Sequence, residues 1–340
     1  MTDMIEKTAY AKINLGLDIT GKRPDGYHEI RSIMQTVDIT DRITLSKSEM
    51  PGITLTANYS WLPTDSRNLM VKAAEVMFER LMLPGGLRMT LEKAIPVGGG
   101  MAGGSADCAA VINGIAELYH IRLTKAEKEE LAAGLGADVG FCLYGGTMLC
   151  EGIGEKMTAL PACPDFSVLI IKPPFSVPTK EIYKGFDEMY GLDSPTAVCS
   201  TDSPASVCST GNPSSVSTTG GPAAARPKDV SSEISSSDLL DISAQVEAIR
   251  AGDRKALFAA AGNALEPVTF ALHPSLPEIK RYLLENGAFY AMMSGSGPTM
   301  LGFYESREKA ENACRRARRK YKNHTVRVCR PVNLQEEVQK

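Results

Sequence analysis

Between Ile95 and Ala110 the chain reads IPVGGGMAGGSADCAA, and five of the seven residues from Gly98 to Gly104 are glycine. Such a stretch is not regular helix or strand, because each glycine there costs backbone entropy. It permits a tight path whose backbone N–H groups all point inward. Residues 104–119, GSADCAAVINGIAELY, follow with small side chains and predict a tightly packed helix beginning near Gly104-Ser105. The free N–H groups and positive dipole end of that helix add to the site. The segment Pro96, Val97, Gly98, Gly99, Gly100, Met101, Ala102, Gly103, Gly104, Ser105 and Ala106 is therefore the expected cradle for a polyphosphate. Two better-known loops fit less well. Gly98-x-Gly100-x-x-Gly103 has dinucleotide spacing, but Leu123 stands where an acidic residue about 20 positions on is needed. A Walker loop needs Lys before Ser or Thr, and Gly104 precedes Ser105.

The 340 residues suggest about two domains at roughly 150 residues each, and 43% hydrophobic residues suffice for a core in both. The start is rich in strand patterns, at 8–19, 30–47 and 52–58, with a turn at Pro24-Asp25-Gly26. A helix is predicted over 66–83 with Ser66 as its cap, then a strand over 87–95 leading into the glycine loop. Thr124 and Glu127 form a capping box, and Gly134 and Gly136 end that helix near Asp138. Phe166–Lys172 is an apolar run that predicts a buried strand, with a short helix in 176–190. From about Asp193 to Ser237, Ser, Thr, Pro, Gly and Ala dominate, with near-repeats VCSTDSP and VCSTGNP. That composition buries too little surface to offset its ordering entropy and reads as a solvated insertion. Beyond it come helices at 238–252, 253–265 and 275–286 (Ser275 as cap), paired strands at 290–294 and 299–304, a helix at 306–321 and a strand at 324–330. The expected domains are 1–163 and 164–335, the second containing the insertion at 193–237, in an α+β architecture.

A net charge of −3 supplies no global field for nucleic acid, and an anionic ligand needs local positive groups. Arg315, Arg316, Arg318, Arg319 and Lys320 are expected to spread over the exposed face of the last helix. No stretch approaches the ~20 apolar residues of a membrane span, and the start is not a signal peptide. Eight scattered cysteines without C-x-x-C read as cytoplasmic thiols, and His28, His120, His273 and His324 show no metal spacing.

Three phrases together resemble the GHMP kinase superfamily: AYAKINLGL near the start, PVGGGMAGGSADCAA in the loop, and MSGSGPTMLGFY near the end. RPDGYHEIRSIMQTVDITD, LGADVGFCLYGGT and PPFSVPTKEIY are similar to the branch that acts on cytidyl diphosphate-linked methylerythritol, in the non-mevalonate route to isoprenoid precursors. The resemblance spans nearly everything except the insertion. It implies an N-terminal domain like ribosomal protein S5 domain 2, a ferredoxin-like C-terminal domain, and ATP with Mg²⁺ in the cleft between them. It implies transfer of the γ-phosphate to the 2-hydroxyl of the substrate by a cytoplasmic monomer or homodimer, with no nucleic acid or membrane partner. Other readings are a homoserine- or mevalonate-type kinase of the same superfamily, or an inactive ligand sensor on its fold.

Lys12 and Asn14 lie two apart on a strand, so their side chains leave one face. Taken alone, K-x-N reads as a solvent-facing strand edge. The resemblance makes Lys12 catalytic, Asn14 substrate-binding and Asp138 the catalytic base, although Asp138 alone reads as a helix N-cap. Phosphoryl transfer is governed by positioning and charge stabilisation, which a carboxylate and an ammonium supply. The resemblance assigns Tyr27 and His28 to the cytidine end, Tyr183 to the second face of the base, and Thr179 to a substrate contact. Ser105 caps the loop helix or reaches Mg²⁺ or a phosphate, and capping accounts for it equally well. Gly295, Ser296 and Gly297 support the phosphate loop, or simply form a hairpin turn.

Overall fold

In the computed structural model, residues 3–192 and 240–333 are described, so the expected insertion at 193–237 lies outside the described residues. The chain opens on a long antiparallel hairpin of β1 (Met4–Lys22) and β2 (His28–Ser48), closed by the turn at Gly26. There follow β3 (Gly52–Ala57), α1 (Leu69–Leu81), β4 (Gly86–Glu92), α2 (Gly103–Leu118), α3 (Lys125–Leu135), α4 (Val139–Tyr144), β5 (Thr147–Gly152), β6 (Lys156–Ala159), β7 (Ser167–Lys172) and α5 (Thr179–Tyr190). After residue 240 come α6 (Ile242–Ala251), α7 (Arg254–Ala259), β8 (Gly262–Asn263), α8 (Glu266–Leu272), α9 (Ser275–Glu285), β9 (Tyr290–Met293), β10 (Met300–Tyr304), α10 (Arg307–Lys320) and β11 (Thr325–Cys329).

Among the described residues, seven strands form one sheet with the order β3-β4-β2-β1-β8, and β5 pairs with both β2 and β6. β8, from late in the chain, runs parallel to β1 at Gly16 and Leu17. Four strands form a second, antiparallel sheet with the order β11-β7-β10-β9. With helices preceding β9 and linking β10 to β11, this is the split β-α-β arrangement of a ferredoxin-like unit. The expected α+β class therefore holds.

β7 shows why an all-apolar run is a strand here. Val168 and Ile170 face the core shared with the first sheet, while Leu169 and Ile171 face the core under α5, α9 and α10. A strand buried on both faces needs apolar side chains at every position. Small side chains on α2 serve close approach: a Cβ on Gly114 would stand 2.2 Å from Leu45 Cδ1.

Several local expectations need correction. The cap of α1 is Asn68, whose side chain accepts from the Met70 N–H at 3.0 Å, whereas Ser66 hydrogen-bonds Glu75. Helix α9 begins at Ser275, with Pro274 in the cap position. The stretch 253–265 is the short α7 followed by β8. The capping box of Thr124 and Glu127 is present. Residues 315, 316 and 318–320 are exposed on α10, as the basic run suggested. The cysteines of the described residues are unpaired, and no helix among those residues is long and apolar enough to cross a membrane.

Candidate active site

β1 carries Lys12 and Asn14 into the interior of the first sheet, where they are only 4% and 1% exposed, so the strand-edge reading fails. Lys12 Nζ donates to Asn14 Oδ1 at 2.8 Å, Asn14 Nδ2 donates to Ser32 Oγ at 2.8 Å, and Ser32 Oγ donates to the Gly16 carbonyl at 2.7 Å. Because the Ser32 proton is committed to Gly16, the Asn14 amide has one orientation, with its oxygen toward the ammonium. Lys12 Nζ also lies 3.8 Å from Asp138 Oδ2. Asp138 occupies the cap position of α4 but its side chain makes no capping bond, and 32% of that side chain is accessible. The capping reading of Asp138 therefore fails too, and its carboxylate is open to a ligand.

The glycine loop is tied to the same lysine: the Lys12 backbone N–H donates to the Met101 carbonyl at 3.1 Å. Gly98, Gly100 and Ala102 adopt positive φ of 61°, 71° and 55°, which gives the loop its reversals before α2 starts at Gly103. Ala102 is the cap position of α2, and no side chain caps that helix. This corrects the expectation for Ser105, which lies inside the first turn and is not a cap. The loop closes against the turn after β9. Ser294 Oγ donates to the Gly100 carbonyl at 3.0 Å, and Asn263 Nδ2 on β8 holds the Met293 and Gly295 carbonyls at 2.9 and 2.8 Å.

A cavity of about 810 Å³ opens here, within the usual range for small-molecule sites. Its lining brings together Lys12, Asn14, Tyr27, His28, Gly100, Asp138, Thr179, Tyr183, Gly295 and Ser296 from six separate stretches of chain. The other loop residues and Gly297 do not line it. At one end, buried His28 places Nε2 2.6 Å from Asp187 Oδ1, and Lys22 Nζ holds the other Asp187 oxygen at 2.8 Å. The Tyr183 ring packs 4.8 Å from the His28 ring, and burial pushes the Tyr183 hydroxyl well up. Tyr27 is exposed at the rim. Thr179 Oγ1 and Ser296 Oγ, 2.9 Å apart, join the start of α5 to the turn after β9.

Asp187 and Asn263 were not legible as site residues. Asp187 has one usable signal: it stands four residues after Tyr183 and so shares its face of α5.

Two family models match the chain. One described as GHMP kinases N terminal domain matches residues 68–146, and one described as GHMP kinases C terminal matches residues 245–323. A 4-diphosphocytidyl-2-C-methyl-D-erythritol kinase of Lachnoclostridium phytofermentans is 38% identical over 311 residues, covering 92% of this chain and 91% of its own. The namesake protein of Pelotomaculum thermopropionicum is 37% identical, covering 93% and 94%. The chain belongs to the 4-diphosphocytidyl-2-C-methyl-D-erythritol kinase family. A crystal structure of 4-(cytidine 5'-diphospho)-2C-methyl-D-erythritol kinase is similar at TM-score 0.69 and 28% identity, over 96% of this chain and 99% of that one. A homoserine kinase from Cytophaga hutchinsonii shares the fold at TM-score 0.69 and 20% identity, over 98% and 96%. In this GHMP kinase, both family-matched segments line one cavity: Asp138 comes from the first, and Gly295 and Ser296 from the second.

Proposed function

We propose that the protein transfers the γ-phosphate of ATP to the 2-hydroxyl of 4-diphosphocytidyl-2-C-methyl-D-erythritol, in the non-mevalonate supply of isoprenoid precursors. The observation that carries this reading is Lys12, whose Nζ stands 3.8 Å from Asp138 while its backbone N–H is bonded to the glycine loop. A donor phosphate on the loop and an acceptor hydroxyl at Asp138 then meet across one ammonium.

The polyphosphate lies along the backbone N–H groups of residues 97–105, which include the start of α2. Asp138 orients the acceptor hydroxyl and takes its proton as the new O–P bond forms. The bond from the γ-phosphorus to the bridging oxygen breaks, and ADP leaves. Lys12 stabilises the charge on the reacting oxygens, and Asn14 holds the ammonium in place. Among the described residues no cluster of three or more His, Cys, Asp or Glu is placed to hold a metal ion. Mg²⁺ would enter with the nucleotide, and the Ser105 hydroxyl in the first turn of α2 would be the protein ligand offered to it. Bound there, the ion would neutralise phosphate charge. Tyr27 and Tyr183 take the two faces of the cytosine, His28 contacts its polar edge, and Asp187 holds His28 in place. Thr179 contacts the acceptor. Gly295, Ser296 and Gly297 brace the loop.

ATP consumption against a panel of the cytidyl compound, homoserine, mevalonate and sugar alcohols tests the assignment. The cytidyl compound should be strongly preferred, and preference for homoserine or mevalonate would refute it. Tyr27→Ala should raise the KM of the cytidyl acceptor about tenfold, because base–aromatic stacking is worth roughly 1–3 kcal/mol. The KM of ATP should stay where it was. An unchanged acceptor KM removes Tyr27 from base recognition.

A further inference from the structure

Behind the glycine loop lies a buried charge cluster that the reaction scheme does not use. Asp41 on β2, Lys93 just after β4 and Asp107 on α2 are 1%, 5% and 3% exposed. Lys93 Nζ donates to Asp41 Oδ2 at 2.5 Å and to Asp107 Oδ2 at 2.6 Å. The other Asp41 oxygen accepts the backbone N–H groups of Ala94 and Ile95, the latter at 2.7 Å. Asn58 holds the Lys93 backbone from both sides, accepting its N–H at 2.9 Å and donating to its carbonyl at 3.1 Å. A Cβ on Gly103 would stand 2.9 Å from Lys93 Nζ, so the ammonium abuts the first residue of α2.

These contacts grip the chain on both sides of residues 96–102. Asp41 holds the residues just before the loop, and Lys93 reaches the helix just after it. Between them the backbone reverses through three positive-φ residues and has little regular structure of its own. We propose that Asp41, Lys93 and Asp107 form a positioning clamp that fixes the two ends of the phosphate loop relative to each other and so sets its affinity for ATP. This rests on the reading of residues 96–106 as that loop.

The charge count adds a second element. One ammonium serves two carboxyl groups away from water. Asp107 Oδ1 is buried without a hydrogen-bond partner, whereas both oxygens of Asp41 are engaged. Burial, with Asp41 beside it, pushes the Asp107 carboxyl well above the usual range, against the pull of Lys93. In this proposal Asp107, the carboxyl with an unpartnered oxygen, carries a proton, which leaves the cluster neutral. Adjacent Cys108 adds no charge, since burial pushes its thiol up to about 12, and Lys72 on α1 is the further cation that acts on this corner. A neutral cluster places no net negative charge beneath a polyphosphate.

The test measures ATP binding by calorimetry, together with the KM of both substrates, on the full chain. Lys93→Met should weaken ATP binding about tenfold or more while the acceptor KM stays within about twofold, because small misplacements of a positioning element cost rate and affinity steeply. Asp41→Asn should give the same split and carries the test if Lys93→Met does not fold. Asp107→Asn resembles the neutral acid and should cost less than about threefold. The infrared spectrum should contain a protonated-carboxyl band that Asp107→Asn removes. ATP affinity unmoved in folded Lys93→Met and Asp41→Asn variants overturns the clamp. A missing acid band, or an Asp107→Asn loss as large as that of Lys93→Met, overturns the neutral cluster. Failure of the loop assignment itself would show separately, as ATP binding indifferent to Gly100→Ala.

Discussion

Asp138→Ala should lower kcat by about three orders of magnitude, within the 10²–10⁴-fold range of general acid–base catalysis, and leave ATP affinity nearly unchanged. The carboxylate stands at the start of α4, makes no capping bond, and meets Lys12 at 3.8 Å. In the proposed scheme its removal takes away the group that orients and deprotonates the acceptor hydroxyl, while the loop amides keep their geometry. Asp138 is a cleaner probe than its partner. Lys12 is buried and donates to Asn14 Oδ1, so truncating it strands a buried acceptor and adds a cost in stability. A coupled assay for ADP release, with a separate ATP titration, checks the result. Turnover within tenfold of the parent would remove Asp138 from the chemistry.

Gly100→Ala should raise the KM of ATP about a hundredfold. Gly100 has φ of +71°, a conformation that L side chains rarely adopt, and a Cβ would stand 2.3 Å from the Ser294 carbonyl and 3.2 Å from the Gly297 carbonyl. Those obstacles are backbone on the turn that braces the loop, so the loop itself must move. The same exchange at Gly134, within α3, meets nothing within 4 Å and should leave the KM of ATP alone while improving helix propensity by about 1 kcal/mol. Steady-state kinetics of the two variants separate local loop geometry from glycine content in general. Equal ATP KM values in both would count against residues 96–106 as the loop that binds ATP.

Much of the molecule could be read before its coordinates. The glycine loop, the capping box at Thr124, the apolar run that became β7 and the strand pair 290–293 and 300–304 are written in patterns a few residues long. Backbone entropy, capping and periodicity act over that range, so they show in a linear chain. Where several local candidates competed, the outcome was less legible. Ser66, the expected cap, is taken by Glu75, and Asn68 caps α1 instead.

Sequence alone determined the kinase family, the α+β class and the expected roles of Lys12, Asp138 and the loop, because those rest on motifs with fixed spacing. Tertiary structure decided which polar groups meet. Asp187 reaches His28 across 159 residues, Asn263 joins the first sheet to brace the turn at Gly295, and Lys93 finds two carboxylates from different elements. The physical reason is that a buried polar group must find its partner wherever folding places one, and separation along the chain carries no trace of that choice.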